Sequence, residues 1–204
     1  MRPSVLALAL ALSTSAAAQV PLPAKIDATH PYTPILLEAD ANQDDLVTQE
    51  EIDAYVASEP VRAQGRGQAI WRSQMAFLGL TVVSTPTQEQ VADGFAVLFA
   101  RMDADKDGEV SSAETQAFAE RYDATGRVAL KGLLTVVGAE RSGLVTREQR
   151  AALEARRNSP DPIITTQDAF VAKHVESSKA LVDEVRRFWA GVGGKADVPL
   201  SLKH

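Results

Sequence analysis

The chain has 204 residues, of which 45% are hydrophobic and 24% are charged, enough apolar material for one sizeable core and too much for a disordered protein. It contains no cysteine, which excludes a disulfide scaffold, a cysteine zinc site and a thiol nucleophile. The formal net charge of −6 disfavours nucleic acid and anionic lipid as partners, because both carry negatively charged phosphates.

The N-terminal residues have the order of segments that is typical of a secretory signal peptide. Arg2 makes the start positive, residues 5–12 are an unbroken apolar run, and residues 16–18 are alanines that offer a cleavage site before Gln19. The apolar run is shorter than the roughly 20 residues that a bilayer span needs, and no later run is long enough. We therefore predict a signal peptide over residues 1–18 and an exported protein, periplasmic or secreted, with no membrane span in the mature chain.

Residues 19–30 contain Pro21 and Pro23 and few large apolar side chains, which predicts an extended leader. A helical pattern begins at Thr33, which we interpret as an N-cap because Pro34 follows it at the first helical position. We assign residues 31–190 to one helical domain.

Apolar residues mark the buried faces of the later helices. Within residues 91–102 they recur at three- and four-residue spacing, and residues 128–137 form a further apolar segment. Residues 170–189 predict a long C-terminal helix, which the glycines at 191, 193 and 194 would end. The fold class is therefore all-α, and we predict a flexible tail over residues 191–204.

Three capping boxes predict helix starts, at Thr48–Glu51, Ser111–Glu114 and Thr146–Gln149. In each box a hydroxyl accepts from a backbone N–H, and a Glu or Gln three residues later accepts from another. A valine precedes each box. Such boxes begin many ordinary helices, so the information lies in the residues that come before them.

Before the box at Ser111, residues 103–114 place oxygen-bearing groups at regular positions. Carboxylates stand at positions 1, 3 and 5, a glycine at position 6 and a glutamate at position 12. Ca²⁺ takes six to eight oxygen ligands at about 2.3–2.6 Å, and three close carboxylates on a tight turn repel each other unless a cation lies among them. The candidate ligands are Asp103, Asp105, Asp107, the carbonyl of Glu109, Ser111 (directly or through water) and Glu114.

This pattern resembles the calcium loop of EF-hand proteins at every ligand position, with Gly108 at the sharp turn. The resemblance implies helix–loop–helix units that work in pairs, with their loops joined by a short β contact at position 8. It covers residues 35–60 and 91–155 most clearly. The implied cofactor is Ca²⁺.

Residues 40–51 also resemble an EF-hand loop, with one departure. Asp45 stands at position 6 in place of glycine, and Asp adopts the left-handed conformation at a cost on the order of 1 kcal/mol. The loop also has three liganding carboxylates rather than four, so we expect it to bind more weakly than residues 103–114. Its candidate ligands are Asp40, Asn42, Asp44, the carbonyl of Leu46, Thr48 and Glu51.

Pairing partners are less evident. Residues 138–149 align as a degenerate loop, because Gly138 offers no side-chain ligand and Gln149 replaces the closing glutamate. We expect this loop to keep its fold and to lose ion binding. Residues 76–87 contain no acid and would be at best a pairing strand for residues 40–51. Residues 163–168 are either a further remnant or the entry to the last helix.

The leading hypothesis is an exported calcium-binding protein in which Ca²⁺ is mainly structural or modulates a surface for a protein partner in the cell envelope. The alternative is a calcium-dependent adaptor or sensor that exposes a hydrophobic groove lined by Trp71, Phe77 and Trp189, although aromatic residues at helical spacing usually belong to the core. An enzyme is not predicted. His174 and Glu176 do not share a helix face, and the chain has neither a phosphate-binding glycine loop nor a GxSxG turn.

Overall fold

The computed structural model describes residues 26–27, 32–81, 84–159, 166–191 and 198–201. These residues form seven helices and three short strands, so the all-α class is confirmed. The predicted signal peptide lies outside the described residues, as does the leader apart from residues 26–27. Among the described helices, none combines the length and the apolar character that a membrane span requires.

Side-chain hydrogen bonds to the backbone mark the starts of several helices. Capping boxes are present at Thr48, Thr87, Ser111 and Thr146, and three of these four were predicted. Thr33 was wrongly assigned as an N-cap, because Tyr32 already has a helical backbone conformation and is itself the N-cap. The elements are β1 (Ile26–Asp27), α1 (Thr33–Ala39), β2 (Leu46–Val47), α2 (Gln49–Phe77), α3 (Gln88–Met102), α4 (Ser112–Ala119), α5 (Ala124–Val136), α6 (Arg147–Ala155), α7 (Gln167–Gly191) and β3 (Val198–Ser201).

Two groups of buried side chains hold the helices together, and α2 contributes to both. The larger group joins the C-terminal half of α2 to α3, α4, α5 and α6. It includes the apolar face that was predicted for residues 91–102, all buried. The smaller group joins α1, β2 and the start of α2 to α7. Val128 and Leu181, which belong to the apolar segments of α5 and α7, are instead exposed.

The three strands form a small sheet in the order β1-β3-β2. β3 lies parallel to β1 and antiparallel to β2, with Val198 opposite Val47 and Pro199 opposite Leu46. The flexible tail that was expected over residues 191–204 therefore contains a paired strand, and Gly191 is the last residue of α7. Residues 192–197 and 202–204 lie outside the described part of the chain.

A second β contact joins two loops. Val110 and Val145 form an antiparallel bridge in which each backbone N–H donates to the other carbonyl at 2.9 Å. The strand that was considered for residues 76–87 is not found in the described part of that range, since Ala76 and Phe77 end α2; Val82 and Val83 are not described. Gln167 and Asp168 begin α7, which favours the helix-entry interpretation of residues 163–168, of which 163–165 are not described.

The packing of α3 on the residue that caps α2 leaves no room for a side chain at Gly94. A Cβ at this position would lie 2.7 Å from both the Cβ and the carbonyl oxygen of Leu78. We expect Gly94→Ala to lower the free energy of unfolding by about 1–3 kcal/mol. Gly65, in the exposed middle of α2, has no atom within 4 Å of such a Cβ. Gly65→Ala is expected to raise the free energy of unfolding by about 0.5–1 kcal/mol, because alanine loses less backbone entropy on folding than glycine does.

Urea unfolding of the two variants and the parent protein checks that Gly94→Ala lowers the free energy of unfolding and that Gly65→Ala raises it. Equal stability of Gly94→Ala and the parent would contradict the close approach of α3 to Leu78.

Candidate metal centre

The loop of residues 103–114 connects the end of α3 to the start of α4. Asp103 is the C-cap of α3 and Ser111 is the N-cap of α4. Lys106 and Gly108 have φ angles of 62° and 92°, so the backbone turns sharply through the left-handed region between the two caps. This turn brings the first and last residues of the loop together.

Three carboxylates meet inside this turn. One oxygen from each of Asp103, Asp105 and Glu114 lies within 4.8 Å of the other two. Asp103 is 9% exposed, and its Oδ2 accepts a hydrogen bond from the backbone N–H of Gly108 at 3.1 Å. Its Oδ1 is buried and accepts no hydrogen bond from any described residue. A buried carboxylate oxygen without a partner is costly, and a bound cation or an ordered water would satisfy it.

Glu114 ties the two ends of the loop together. Its Oε2 accepts from the backbone N–H and from the hydroxyl of Ser111, each at 2.8 Å, and its Oε1 accepts from the backbone N–H of Ala104 at 2.6 Å. These hydrogen bonds, led by that of the Ser111 backbone, lower the pKa of Glu114 to about 2. The carboxylate is therefore ionised at neutral pH and oriented toward the loop.

The remaining predicted ligands of this loop are placed differently. Asp107 lies outside the three-acid cluster, and its Oδ1 accepts from the backbone N–H of Glu109 at 2.8 Å. Ser111 donates its hydroxyl to Glu114 rather than to another loop residue. The structure thus brings together the acids at positions 1, 3 and 12 of the loop, and not the acid at position 5.

The loop of residues 40–51 repeats the same backbone pattern. Asp40 is buried at position 1 and accepts from the N–H of Asp45 at 3.1 Å, as Asp103 accepts from Gly108. Asp45 has a φ angle of 63°, so the left-handed conformation expected at position 6 is confirmed. Glu51 accepts from the Thr48 N–H at 3.0 Å, and this bond is the main reason that its pKa is lowered.

The acidic side chains of residues 40–51 are not gathered as closely as those of residues 103–114. Within the described ranges, Asp40, Asp44 and Glu51 do not form a three-acid cluster of the same compactness. The side-chain amide of Asn42 donates to Asp44 Oδ2 at 3.1 Å, so this carboxylate oxygen at position 5 already has a hydrogen-bond partner within the loop. Leu46 and Thr48, the other predicted ligands, lie in β2 and at the N-cap of α2.

In the loop of residues 138–149, position 12 is held by the amide of Gln149 and not by a carboxylate. The Oε1 of Gln149 accepts from the Thr146 N–H at 2.9 Å, and its Nε2 donates to the carbonyl of Val137 at 2.8 Å. Gly143, at position 6, has a φ angle of 65°. The amide oxygen of Gln149 therefore accepts the N-cap hydrogen bond that the glutamates accept in the other two loops. Its amide N–H donates to the residue that precedes the loop.

Two arginines from α6 contact the 103–114 loop, and sequence reasoning missed both. Arg150 Nη1 donates to the carbonyl of Gly108 at 2.8 Å and lies 3.6 Å from Asp103 Oδ2. Arg147 Nη2 donates to the carbonyl of Asp107. The signal was present in the sequence, because both arginines lie just after Val145, and the β contact that the resemblance implies would bring that region to residues 103–114.

The residues considered for other functions lie in the interior or in helix packing. Trp71, Phe77 and Trp189, the candidates for an exposed groove, are 3%, 5% and 3% exposed. His174 is half-buried, and its Cβ would be 3.3 Å from a Cβ at Gly67 of α2. Burial lowers the pKa of His174, and the positive charge of Arg66 lowers it further.

Comparison with known proteins adds no assignment. No protein-family model matches the chain, and no match was found among curated proteins or among solved structures. The interpretation of the loops therefore depends on their own residues and geometry.

Proposed function

We propose that this protein binds Ca²⁺ through residues 103–114 and 40–51, and that both are EF-hand loops of an exported helical protein. The observation that carries the proposal is the acidic cluster between α3 and α4, in which Asp103 has a buried oxygen without a hydrogen-bond partner. A divalent cation at this point would offset two of the three negative charges and satisfy that oxygen. The cluster consists of oxygen donors alone, which hard cations such as Ca²⁺ prefer.

The β bridge between Val110 and Val145 supports a paired arrangement of the two C-terminal loops. In this proposal residues 138–149 are the partner that has lost ion binding, since Gln149 closes the loop through its amide. The arginines that this partner extends across the bridge contact two carbonyls of the binding loop. The partner would thus shape the site without contributing an ion ligand.

We propose a structural role for Ca²⁺, in which the ions fix the angles between helices and so shape a surface for a protein partner in the cell envelope. Exported modules can use weak sites, with dissociation constants of about 10⁻⁴–10⁻³ M, because Ca²⁺ is plentiful outside the cytosol. An adaptor that exposes a groove is the less supported alternative, because Trp71, Phe77 and Trp189 are buried. Enzymatic activity is not part of the proposal.

Calorimetric titration of the purified protein with Ca²⁺ tests the two sites. We expect two binding events, of which Glu114→Gln removes the tighter and Glu51→Gln the looser, because each substitution takes away the carboxylate that closes its loop. Glu109→Gln and Glu50→Gln are the matched controls. Each removes one negative charge near the same loop and leaves the proposed ligand atoms in place, so each should retain both events.

Mg²⁺ is expected to compete poorly for both sites, because a bidentate glutamate suits the larger ion. A titration that is unchanged by Glu114→Gln and Glu51→Gln would contradict the site assignment. Equal losses in Glu109→Gln and Glu114→Gln would show a general effect of charge rather than loss of a ligand.

A further inference from the structure

The loop of residues 40–51 has its strand partner near the other end of the chain. Val47 holds position 8 of this loop and pairs antiparallel with Val198 of β3. Val110 holds position 8 of the loop 103–114 and pairs antiparallel with Val145. Val198 therefore occupies, relative to the first loop, the place that Val145 occupies relative to the second.

The helix that precedes β3 packs against the same end of the molecule. Val182 and Trp189 of α7 are buried in the apolar group that contains Val47. The hydroxyl of Tyr32, just before α1, donates to Glu184 of α7 at 2.7 Å. α7 thus covers the apolar side of the first loop and β3 pairs with its strand, where a second helix–loop–helix unit packs against the loop 103–114.

In the register of this pairing, the carbonyl of Leu46 stays available as a cation ligand. Leu46 lies opposite Pro199 in the sheet, and its carbonyl is the proposed ligand at position 7. Proline has no backbone N–H, so residue 199 cannot occupy that carbonyl. The neighbouring pair, Val47 and Val198, holds the backbone of β2 in an extended conformation. β3 can therefore order the end of the loop without competing with the cation.

We infer that β3 is the permanent partner of the loop 40–51 and that the affinity of this loop for a cation depends on residues 198–201. The inference rests on the proposed function. A loop whose strand is already paired has less conformational entropy to lose when the ion binds. By reciprocity, an ion in the loop stabilises the pairing of β3 by the same factor. The first loop would then need no second EF-hand.

Ca²⁺ titration of Glu114→Gln, which retains only the first proposed site, tests the inference. Val198→Pro in this background removes the N–H of the residue that pairs with Val47, and Val198→Thr keeps both the N–H and the β-branched shape. We expect Val198→Pro to raise the dissociation constant about tenfold and Val198→Thr to leave it within about twofold. In the Glu51→Gln background neither substitution should change Ca²⁺ binding by residues 103–114.

Equal affinities of the Val198→Pro and Val198→Thr proteins, with helical circular dichroism retained, would overturn the inference alone. Absence of Ca²⁺ binding in Glu114→Gln itself would remove the proposed site at residues 40–51, and it would be seen before any change at position 198. Hydrogen exchange provides a measurement without a substitution in β3. In Glu114→Gln, Ca²⁺ should slow the exchange of the Val47 and Val198 amides, and unchanged rates would also overturn the inference.

Discussion

Addition of Ca²⁺ to about 100 times its dissociation constant is expected to raise the free energy of unfolding by about 2.7 kcal/mol for each occupied loop. The reason is that the folded chain brings the ligands together and the unfolded chain does not. With both loops filled, the total is about 5 kcal/mol, which is comparable to the whole stability of many small domains. The measurement is denaturant unfolding in excess Ca²⁺ and in a chelator, compared by linear extrapolation.

Substitutions in the two loops distinguish stabilisation by bound Ca²⁺ from a general effect of salt. The double substitution Glu51→Gln and Glu114→Gln should abolish the response to Ca²⁺, whereas Glu109→Gln should respond as the parent protein does. An equal response of the double variant and the parent would contradict binding in these loops. A hydrophobic dye distinguishes the two proposed roles, because its fluorescence rises with Ca²⁺ only if apolar surface becomes exposed.

Local patterns allowed the loops to be predicted. Within residues 103–114, the hydrogen bonds at Gly108, Glu109 and Ser111 all join residues no more than five positions apart. Such contacts depend on spacing in the sequence, and the same spacing gives the same bonds in residues 40–51. The capping boxes and the apolar face of α3 could be predicted for the same reason.

Features that depend on distant parts of the chain could not be predicted. β3 has no local signal of its own, and it pairs with β1 and β2, which come from distant parts of the chain. The arginines that cross from α6 needed the register of the Val110–Val145 bridge. The length of α2 was also missed, since it continues through Pro60, where a helix would ordinarily lose a hydrogen bond or end.

Contacts made by the residues around Pro60 help to explain why α2 continues. Arg62 donates to the carbonyl of Tyr55 at 3.2 Å, and its guanidinium lies 3.9 Å from the centre of the Tyr55 ring. Glu59 is 3% exposed and accepts from Arg62 at 2.9 Å, from Arg66 and from the hydroxyl of Ser178 on α7. Contacts between side chains within α2, together with the hydrogen bond from Ser178 of α7, therefore support the helix on both sides of the proline.

Substitution of Glu59 by Gln is expected to lower the free energy of unfolding at pH 7 by about 2 kcal/mol. The amide cannot accept from both guanidinium groups and Ser178 as the carboxylate does, and hydrogen bonds to charged groups contribute about 1.5–3 kcal/mol each. Solvent screens part of this contribution, because the side chains of Arg62 and Arg66 are 34% and 43% exposed. Urea unfolding measures the loss, and Glu176→Gln on the exposed side of α7 is the matched control.

The pH dependence of this loss identifies its electrostatic origin. Burial raises the pKa of Glu59, but the hydrogen bonds from Ser178 and Arg66 and the charges of Arg66 and Arg62 outweigh burial and lower it. Because the folded pKa is below the unfolded value of about 4.3, the stabilisation is complete above about pH 5 and is lost as the pH falls through the folded pKa. The parent and Glu59→Gln should therefore differ equally at pH 7 and pH 5 and converge in more acidic solution. A difference that persists undiminished at pH 3 would instead assign the loss to packing between α2 and α7, the contact that also holds α7 near the first loop.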